Sequence, residues 1–417
     1  MMNTTSRSTP GCQPPKRTRK RALIMSAALM ISVFGGCAQS GTASSAAGSQ
    51  AASTAAASTA ASTSGDVIKI GVVGPLTGAV STYGQSAQKG LQLLQKQVNG
   101  KGGVEGKQIN FIFADDENKP ASSVTAGQKL MFDDKVVAII GPMTSTCSNS
   151  LGPICQSNSV PMISPYATNP KVTQAGDFIF RTCFIDPFQG TVLAKFSTSN
   201  LKAKTAAVLY DNGNDYSKGL ATYFISAFKA AGGQVVDTET YNTGDKDFNT
   251  QLTKIAPKNP DVMILPDYYS TVSVIMKEAR AAGIKATFLG GDGWDSSELY
   301  TIGGSAVDGA YYSNHYSPDD TSPKVVQFIK DFKAEYSGDT PDAIAALSYD
   351  AGQIVLDAIK NAGGKTDPQS LKEAMKATKG SYVTGDITFD ADRNPTKAAV
   401  ILKCSGGKST FFTKVNP

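Results

Sequence analysis

The chain has 417 residues, 41% of them hydrophobic and 40 of them glycine, enough apolar material for more than one core. Its formal charge of +5 is concentrated at the start: Arg7, Lys16, Arg17, Arg19, Lys20 and Arg21 are six of the 40 basic residues, and no acidic residue precedes Cys37. The rest balances 34 basic against 35 acidic residues with no basic cluster, which argues against a nucleic-acid partner, whose binding rests on many phosphate contacts.

The basic block is followed by a 13-residue apolar run, residues 22–34. That run is too short to cross about 30 Å of hydrocarbon as a permanent helix and reads as a secretory signal. Gly35 and Gly36 before Cys37 resemble a lipobox, in which the cysteine thiol is lipidated and becomes the mature N-terminus; the competing reading is an ordinary cleavage site with an incidental cysteine. Residues 1–36 are therefore expected to be a lipoprotein signal peptide, and the body to sit outside the cytoplasm, lipid-anchored to the cell membrane through Cys37. From 38 to 65 the chain is almost entirely Ala, Ser, Thr, Gly and Gln, without charge. Such a segment cannot bury enough apolar surface to offset its ordering entropy, so 37–65 is expected to be a disordered tether.

Beyond Cys12 and Cys37, the cysteines are Cys147, Cys155, Cys183 and Cys404, which allow three pairings if all are oxidised. On one helix, Cys147 and Cys155 would lie about 12 Å apart along the axis, beyond disulfide reach, so that pair is the least favoured. Nothing has metal-ligand spacing, and no cofactor is expected.

From Asp66 onward short apolar runs alternate with amphipathic stretches. "VIKIGVV" (67–73), "INFIFA" (109–114), "VVAIIG" (136–141) and "VPMIS" (160–164) predict buried strands, and "SAQKGLQLLQKQVN" (86–99), "ASSVTAGQKLMFDD" (121–134) and "SNSLGPICQSN" (148–158) predict helices between them. A second series repeats the pattern: strands at 205–210, 233–241, 261–266 and 286–291, helices at 216–232, 248–256 and 271–283. Three helical stretches follow (324–336, 342–361 and 368–377), then short strands at 386–390 and 398–403. The fold class is α/β, with two doubly wound parallel-sheet lobes.

In open parallel sheets ligands bind beyond the carboxyl ends of the strands. The segments placed there are "GPLTGAVSTYG" (74–84), "GPMTST" (141–146), "SPYATNP" (164–170), "DNGNDY" (211–216), "PDYYS" (266–270) and "GDGWD" (291–295). They gather hydroxyls, aromatics, glycines and one notable acid, Asp292. That lining suits a small zwitterion, with hydroxyls and helix-start amides for a carboxylate and an acid for an ammonium.

"ISPYATNP", "NDYSKGL", "GDKDFNT", "DVMILPDYYS" and "FLGGDGWD", in this order and spacing, resemble the branched-chain amino-acid binding proteins of ABC importers, a periplasmic binding protein type I family. The resemblance implies two lobes joined by a three-strand hinge with the ligand between them, an N-terminal lobe of 66–186 plus 317–395 and a C-terminal lobe of 187–316 plus 396–417. It implies that Ser145 and Thr168 hold an α-carboxylate, that the Tyr166 carbonyl and the Thr168 hydroxyl receive the ammonium, and that Asp292 pairs with it. Tyr216 and Tyr268 would close from the other lobe, with Tyr83 and Trp294 as apolar walls. The implied function is capture of leucine, isoleucine or valine by cleft closure and delivery to the membrane subunits of an ABC permease by a monomeric protein that is not an enzyme. Two departures bear on the substrate: Tyr166 stands where many relatives carry a small residue, and Asp292 replaces a glutamate.

Other readings compete at single positions. Asp292 could cap a short helix near Ser296, Tyr216 could be a core aromatic, and Tyr269 rather than Tyr268 could face the cleft. "SGGKST" (405–410) has Leu402 where a phosphate loop needs glycine, and "DADRNP" (390–395) has Pro395 where a calcium loop needs glycine, so both are assigned to turns. An enzyme with a histidine-activated nucleophile would have to use His315, the only histidine, which is expected to be structural. A sensor module sharing the cleft, or a binding protein for an amide, urea or aromatic acid, are the functional alternatives.

Overall fold

The structure is a computed structural model and describes residues 67–417. The expected signal peptide, Cys12, Cys37 and the tether lie outside the described residues. Strand β1 (Ile68–Gly74) is buried at every position except Lys69, as a strand covered on both faces must be. It pairs in parallel with β2 (Ile109–Asp115) on one side and β3 (Ile139–Ile140) on the other; β4 (Met162–Ser164) and β5 (Ile179–Arg181) complete a sheet of order β2-β1-β3-β4-β5. The helices between are α1 (Ser81–Asn99), α2 (Pro120–Phe132), α3 (Ser145–Ser157) and the single turn α4 (Lys171–Gln174). Leu130, Ile139, Leu151 and Met162 form the core on one face of this sheet, and Ile70, Leu91, Leu94 and Ile140 belong to the core on the other. Each such side chain contributes about 1.5–3 kcal/mol relative to exposure.

Helix α5 (Asp186–Ser199) leads into the second series: β6 (Thr205–Asp211), α6 (Asp215–Ala230), β7 (Gln234–Tyr241), α7 (Asn249–Ile255), β8 (Val262–Ile264), α8 (Tyr269–Ala281), β9 (Thr287–Gly290), α9 (Glu298–Gly303) and β10 (Tyr311–Asn314). The chain then returns through α10 (Pro323–Glu335), α11 (Ala343–Asn361) and α12 (Pro368–Lys376) to the first sheet, where the Tyr336 hydroxyl at the end of α10 donates to the Lys89 carbonyl of α1 at 2.7 Å. Asp342 caps α11 by accepting from the Ala345 amide at 2.8 Å. A hairpin of β11 (Lys379–Tyr382) and β12 (Gly385–Thr388) follows, and β13 (Ala399–Ser405) and β14 (Lys408–Val415) add antiparallel strands to a second sheet of order β14-β13-β10-β9-β8-β6-β7. The architecture is thus two mostly parallel α/β sheets between which the chain passes three times.

Some elements differ from expectation. Helix α1 starts at Ser81 and so carries Tyr83, which the sequence placed in a loop. The sequence also ended at a strand over 398–403, whereas β14 follows it: the tight turn at Gly406 and Gly407, both at positive φ (58° and 77°), folds "KSTFFTKV" back as a hairpin. The same turn absorbs the phosphate-loop look-alike. In the calcium-loop look-alike, Asp390 accepts from the Asp392 and Asn394 amides at 2.8 Å each, closing a local turn.

Candidate functional site

Strand order reverses between β1 and β3 in the first sheet and between β6 and β8 in the second. The loops after β3, β6 and β8 meet around one cavity, at the carboxyl ends of the strands where ligands bind open parallel sheets. The loop after β3 turns at Gly141, where φ is +104° and an added Cβ would lie 2.0 Å from the Val73 carbonyl oxygen, so glycine alone fits. This places Ser145 at the first turn of α3, where backbone N–H groups have no intrahelical acceptor.

The loop after β4, 164–170, is braced from below. Ser164 Oγ donates to the Pro142 carbonyl (2.7 Å) and accepts from the Ala167 amide (3.2 Å), and Ser145 Oγ accepts from the Asn169 amide (3.2 Å). Arg181, fully buried, donates to the Ala167 and Asn169 carbonyls at 2.7 and 2.8 Å. Prolines and hydroxyls crowd this stretch because the loop is a rigid platform, held by one buried guanidinium.

From the second sheet, Asn214 accepts from the Tyr216 amide at 3.0 Å and caps α6, and Tyr216 stacks on Tyr268 with ring centroids 5.4 Å apart and planes 4° off parallel. Burial pushes the Asp267 carboxyl up to about 7; it accepts from the Tyr241 hydroxyl (2.5 Å) and the Tyr268 amide (2.7 Å) and so fixes the start of α8. Asp292 opens a single turn, Asp292–Trp294, after β9. Gly291 lets that turn close: a Cβ there would lie 2.4 Å from Tyr216 Oη and 2.7 Å from Gln189 Oε1.

The acid does not cap a helix. Its Oδ1 accepts from Gln189 Nε2 at 2.8 Å and its Oδ2 meets His315 Nε2 at 2.9 Å. Burial lowers the His315 pKa against the opposing pull of Asp292, so the ring is neutral and its proton is assigned to Nε2, leaving Nδ1 without a partner. The Asp292 carboxyl is therefore buried between two neutral side chains, with no basic side chain bonded to it and lone pairs to spare. A second acid, Asp186, is fully buried; burial pushes it up to about 8, and the nearby Thr168 hydroxyl opposes that shift without closing a hydrogen bond of ordinary geometry.

Five of the expected site residues come together: Ser145, Tyr166, Tyr216, Tyr268 and Asp292 line one cavity with Met143, Thr144 and Gly293, and its volume is only about 10 Å³. Thr168 lies just behind, fully buried with Oγ1 unpartnered. Tyr83 packs edge-on against Tyr166, Tyr268 and Tyr269, and its hydroxyl donates to the Gly293 carbonyl. The structure does not bring Trp294 to the cleft. Its ring lies under Gly290 and its Nε1 donates to the Leu265 carbonyl at 3.0 Å, because the turn after Asp292 directs it into the core of the second sheet. Tyr268 faces the cavity, whereas the Tyr269 hydroxyl accepts from the Thr82 amide at 3.4 Å. Gln189, Arg181 and Asp186 are site residues that the sequence reading missed; the run "RTCFID" before α5 places two of them within six positions, the only local signal available. A hollow of about 240 Å³ adjoins the cavity at Tyr268 and is lined by Val80, Asn118, Asn214 and Asp267 from the strand-end loops of both sheets. Two larger hollows lie elsewhere: a groove of about 480 Å³ lined by Gln327, Tyr349 and Tyr382, and one of about 540 Å³ lined by Tyr316, Lys397 and Asn416. Neither collects the strand-end loops.

The lobes clasp across this cleft. Asn149 Nδ2 donates to Asp215 Oδ2 (2.8 Å), Asn169 Nδ2 to the Asp215 carbonyl (2.9 Å), and the Asp215 amide to Thr146 Oγ1 (3.0 Å). Two facing α/β lobes with a tyrosine-lined cleft at both switch points define a solute-binding protein. The chain belongs to the periplasmic binding protein family, which it matches over residues 67–408. It is 33% identical over 329 residues to the leucine-, isoleucine-, valine-, threonine- and alanine-binding protein of Pseudomonas aeruginosa, covering 78% of this chain and 86% of that protein. Among solved structures it is similar to the branched-chain amino-acid transporter binding protein of Streptococcus pneumoniae in complex with isoleucine (TM-score 0.80, 32% identity, 84% of this chain and 100% of that one). It is also similar to an ABC-transporter solute-binding protein of R. palustris in complex with benzoate (TM-score 0.77, 26% identity, 84% and 97%). The family and these relatives are extracytoplasmic substrate-binding proteins of importers, and the resemblance to branched-chain amino-acid binders holds across the whole body.

Proposed function

We propose that this protein captures a branched-chain amino acid (leucine, isoleucine or valine) between its lobes and delivers it to the membrane subunits of an ABC permease. The observation that carries this reading is the buried Asp292 carboxylate, held by Gln189 and His315 but neutralised by neither. A buried charge without a counter-ion is costly, and a ligand ammonium supplies one. The opposite side of the cleft supplies the Ser145 hydroxyl and the start of α3 for a carboxylate, and Thr168 Oγ1, still unpartnered, for a further ammonium hydrogen bond. Side-chain selectivity is weaker, about 0.8 kcal/mol per methylene, so several aliphatic amino acids are expected to bind. The lobes are taken to divide at 186/187, 316/317 and 395/396, in the three crossings. Cys37 is taken as the lipidated N-terminus; labelled fatty acid incorporated into wild type but not Cys37→Ala checks this.

The test is calorimetric titration of the purified protein, unfolded and refolded to strip carried-over ligand, with leucine, isoleucine, valine, alanine, an amide and benzoate. Binding of the branched amino acids at micromolar or tighter affinity supports the reading. The four cleft tyrosines favour a second reading, an aromatic acid. Benzoate binding with amino acids silent would establish it, although its carboxylate would then have to avoid Asp292.

A further inference from the structure

We propose that Tyr166 is the specificity- and closure-determining residue of this cleft: its ring fills the space between Ser145 and Asp292, its hydroxyl bridges the two lobes, and it must swing out before an amino acid can enter. This deepens the reading above and rests on it only for the identity of the ligand.

The backbone under Tyr166 cannot give way, because Ser145, Ser164 and Arg181 fix the loop on either side of it. The ring is therefore the movable part. It extends from the first lobe, packs 5.6 Å from the Tyr83 ring and 5.5 Å from the His315 ring, and its hydroxyl donates to the Asp292 carbonyl of the second lobe at 2.5 Å. The space left between Ser145 and Asp292 is about 10 Å³. A cavity of that size holds at most one water, and even glycine needs several times more. Other bonds across the cleft, among them those of Thr82, Tyr83, Asn149, Asn169 and Asp215, run around this space, whereas Tyr166 runs through it. A ligand whose ammonium reaches Asp292 must therefore compete with the Tyr166 side chain for that volume, and its apparent affinity is reduced by the fraction of molecules in which the ring is already displaced.

The experiment combines small-angle X-ray scattering of the ligand-free protein with calorimetric titration by leucine, for wild type, Tyr166→Ala and Tyr166→Phe. Wild type is expected to scatter as the closed form without ligand, Tyr166→Ala as an open, larger particle, and Tyr166→Phe as a mixture, because it keeps the ring and loses one hydrogen bond. Leucine should bind Tyr166→Ala about tenfold more tightly than wild type, the equivalent of one net hydrogen bond. An open ligand-free wild type, a Tyr166→Ala variant as compact as wild type, or weaker leucine binding by Tyr166→Ala would each overturn the proposal; the last would make the ring a ligand contact. If Tyr166→Ala fails to fold, the scattering of Tyr166→Phe decides between closed and partly open. Failure of the amino-acid reading looks different: leucine gives no heat with any variant, while the scattering series still separates them.

Discussion

Replacing Asp292 by asparagine removes one charge from the cleft and little else. The amide is isosteric with the carboxylate and can keep a contact with Gln189 or, after a change of imidazole tautomer, with His315, which hold the native group at 2.8 and 2.9 Å. Alanine would be a poorer probe, because it leaves two buried donors unpaired at about 1–3 kcal/mol each and confuses folding with binding. An ammonium about 4 Å from the carboxylate, at an effective dielectric near 20, is attracted by roughly 4 kcal/mol. At about 1.4 kcal/mol per tenfold, and allowing for the residual dipole of the amide, leucine should bind roughly 100- to 1,000-fold more weakly. Titration calorimetry with leucine and with its deaminated analogue 4-methylpentanoate separates the outcomes. Leucine should lose affinity in Asp292→Asn, and 4-methylpentanoate, which has no ammonium to pair, should bind wild type poorly and gain on substitution. Leucine affinity within threefold of wild type, or wild type holding the deaminated analogue as tightly as leucine, would refute the pairing of this acid with an ammonium.

Arg181→Met removes both donors that brace the 164–170 loop, and since each hydrogen bond from a charged group is worth about 1.5–3 kcal/mol, urea denaturation should show a loss of about 3 kcal/mol or more. An unchanged midpoint would mean that the loop stands without it. Cys147, Cys155, Cys183 and Cys404 are all buried and unpaired, so a reducing agent should leave the thermal midpoint of the folded body unchanged; a drop would reveal a disulfide. Asp186, raised by burial to about 8 from an unfolded value near 4, keeps a proton in the folded protein that the unfolded chain has released over that range. Its contribution is full below pH 4 and is lost as pH rises toward 8. Asp116 (about 6), Asp267 and Asp342 (about 7) act with the same sign; the lowered His315 opposes them as pH falls below about 6.5, and the buried Lys397, lowered to about 8, offsets part of the loss only above pH 8. The urea midpoint should therefore be lower at pH 9 than at pH 6.5, and Asp186→Asn should shrink the difference; an identical profile in the variant would remove Asp186 from this account.

The α/β architecture was legible because buried parallel strands read as continuous apolar runs and their crossover helices as amphipathic stretches, both local patterns. β14 was not, since "KSTFFTKV" leaves Phe411 and Phe412 exposed and has no buried run to announce it. The cavity-lining residues Ser145, Tyr166, Tyr216, Tyr268 and Asp292 sat in strand-end loops and could be singled out by position together with the family resemblance. Trp294 sat in the same loop as Asp292 and could not be sorted from it, because a turn sends neighbouring side chains in opposite directions and the partner that takes Trp294 inward, the Leu265 carbonyl, lies 29 positions away.

What a residue does in the cleft depends on partners that no local pattern reveals. Asp292 meets Gln189 from 103 positions away and His315 from 23. Had His315 been protonated, the pair would be neutral and the cleft indifferent to an ammonium; burial of the ring settles the charge, and burial is a property of the assembled lobes. Tyr166 makes the same point in reverse. In the sequence it stood out only as a tyrosine where many relatives carry a small residue. Because the loop beneath it is pinned by Arg181, the ring has nowhere to retreat within the first lobe, and its hydroxyl crosses to the Asp292 carbonyl. One side chain in one loop thus couples ligand size to closure, since the volume a ligand needs beside Asp292 and a contact that bridges the lobes both belong to Tyr166.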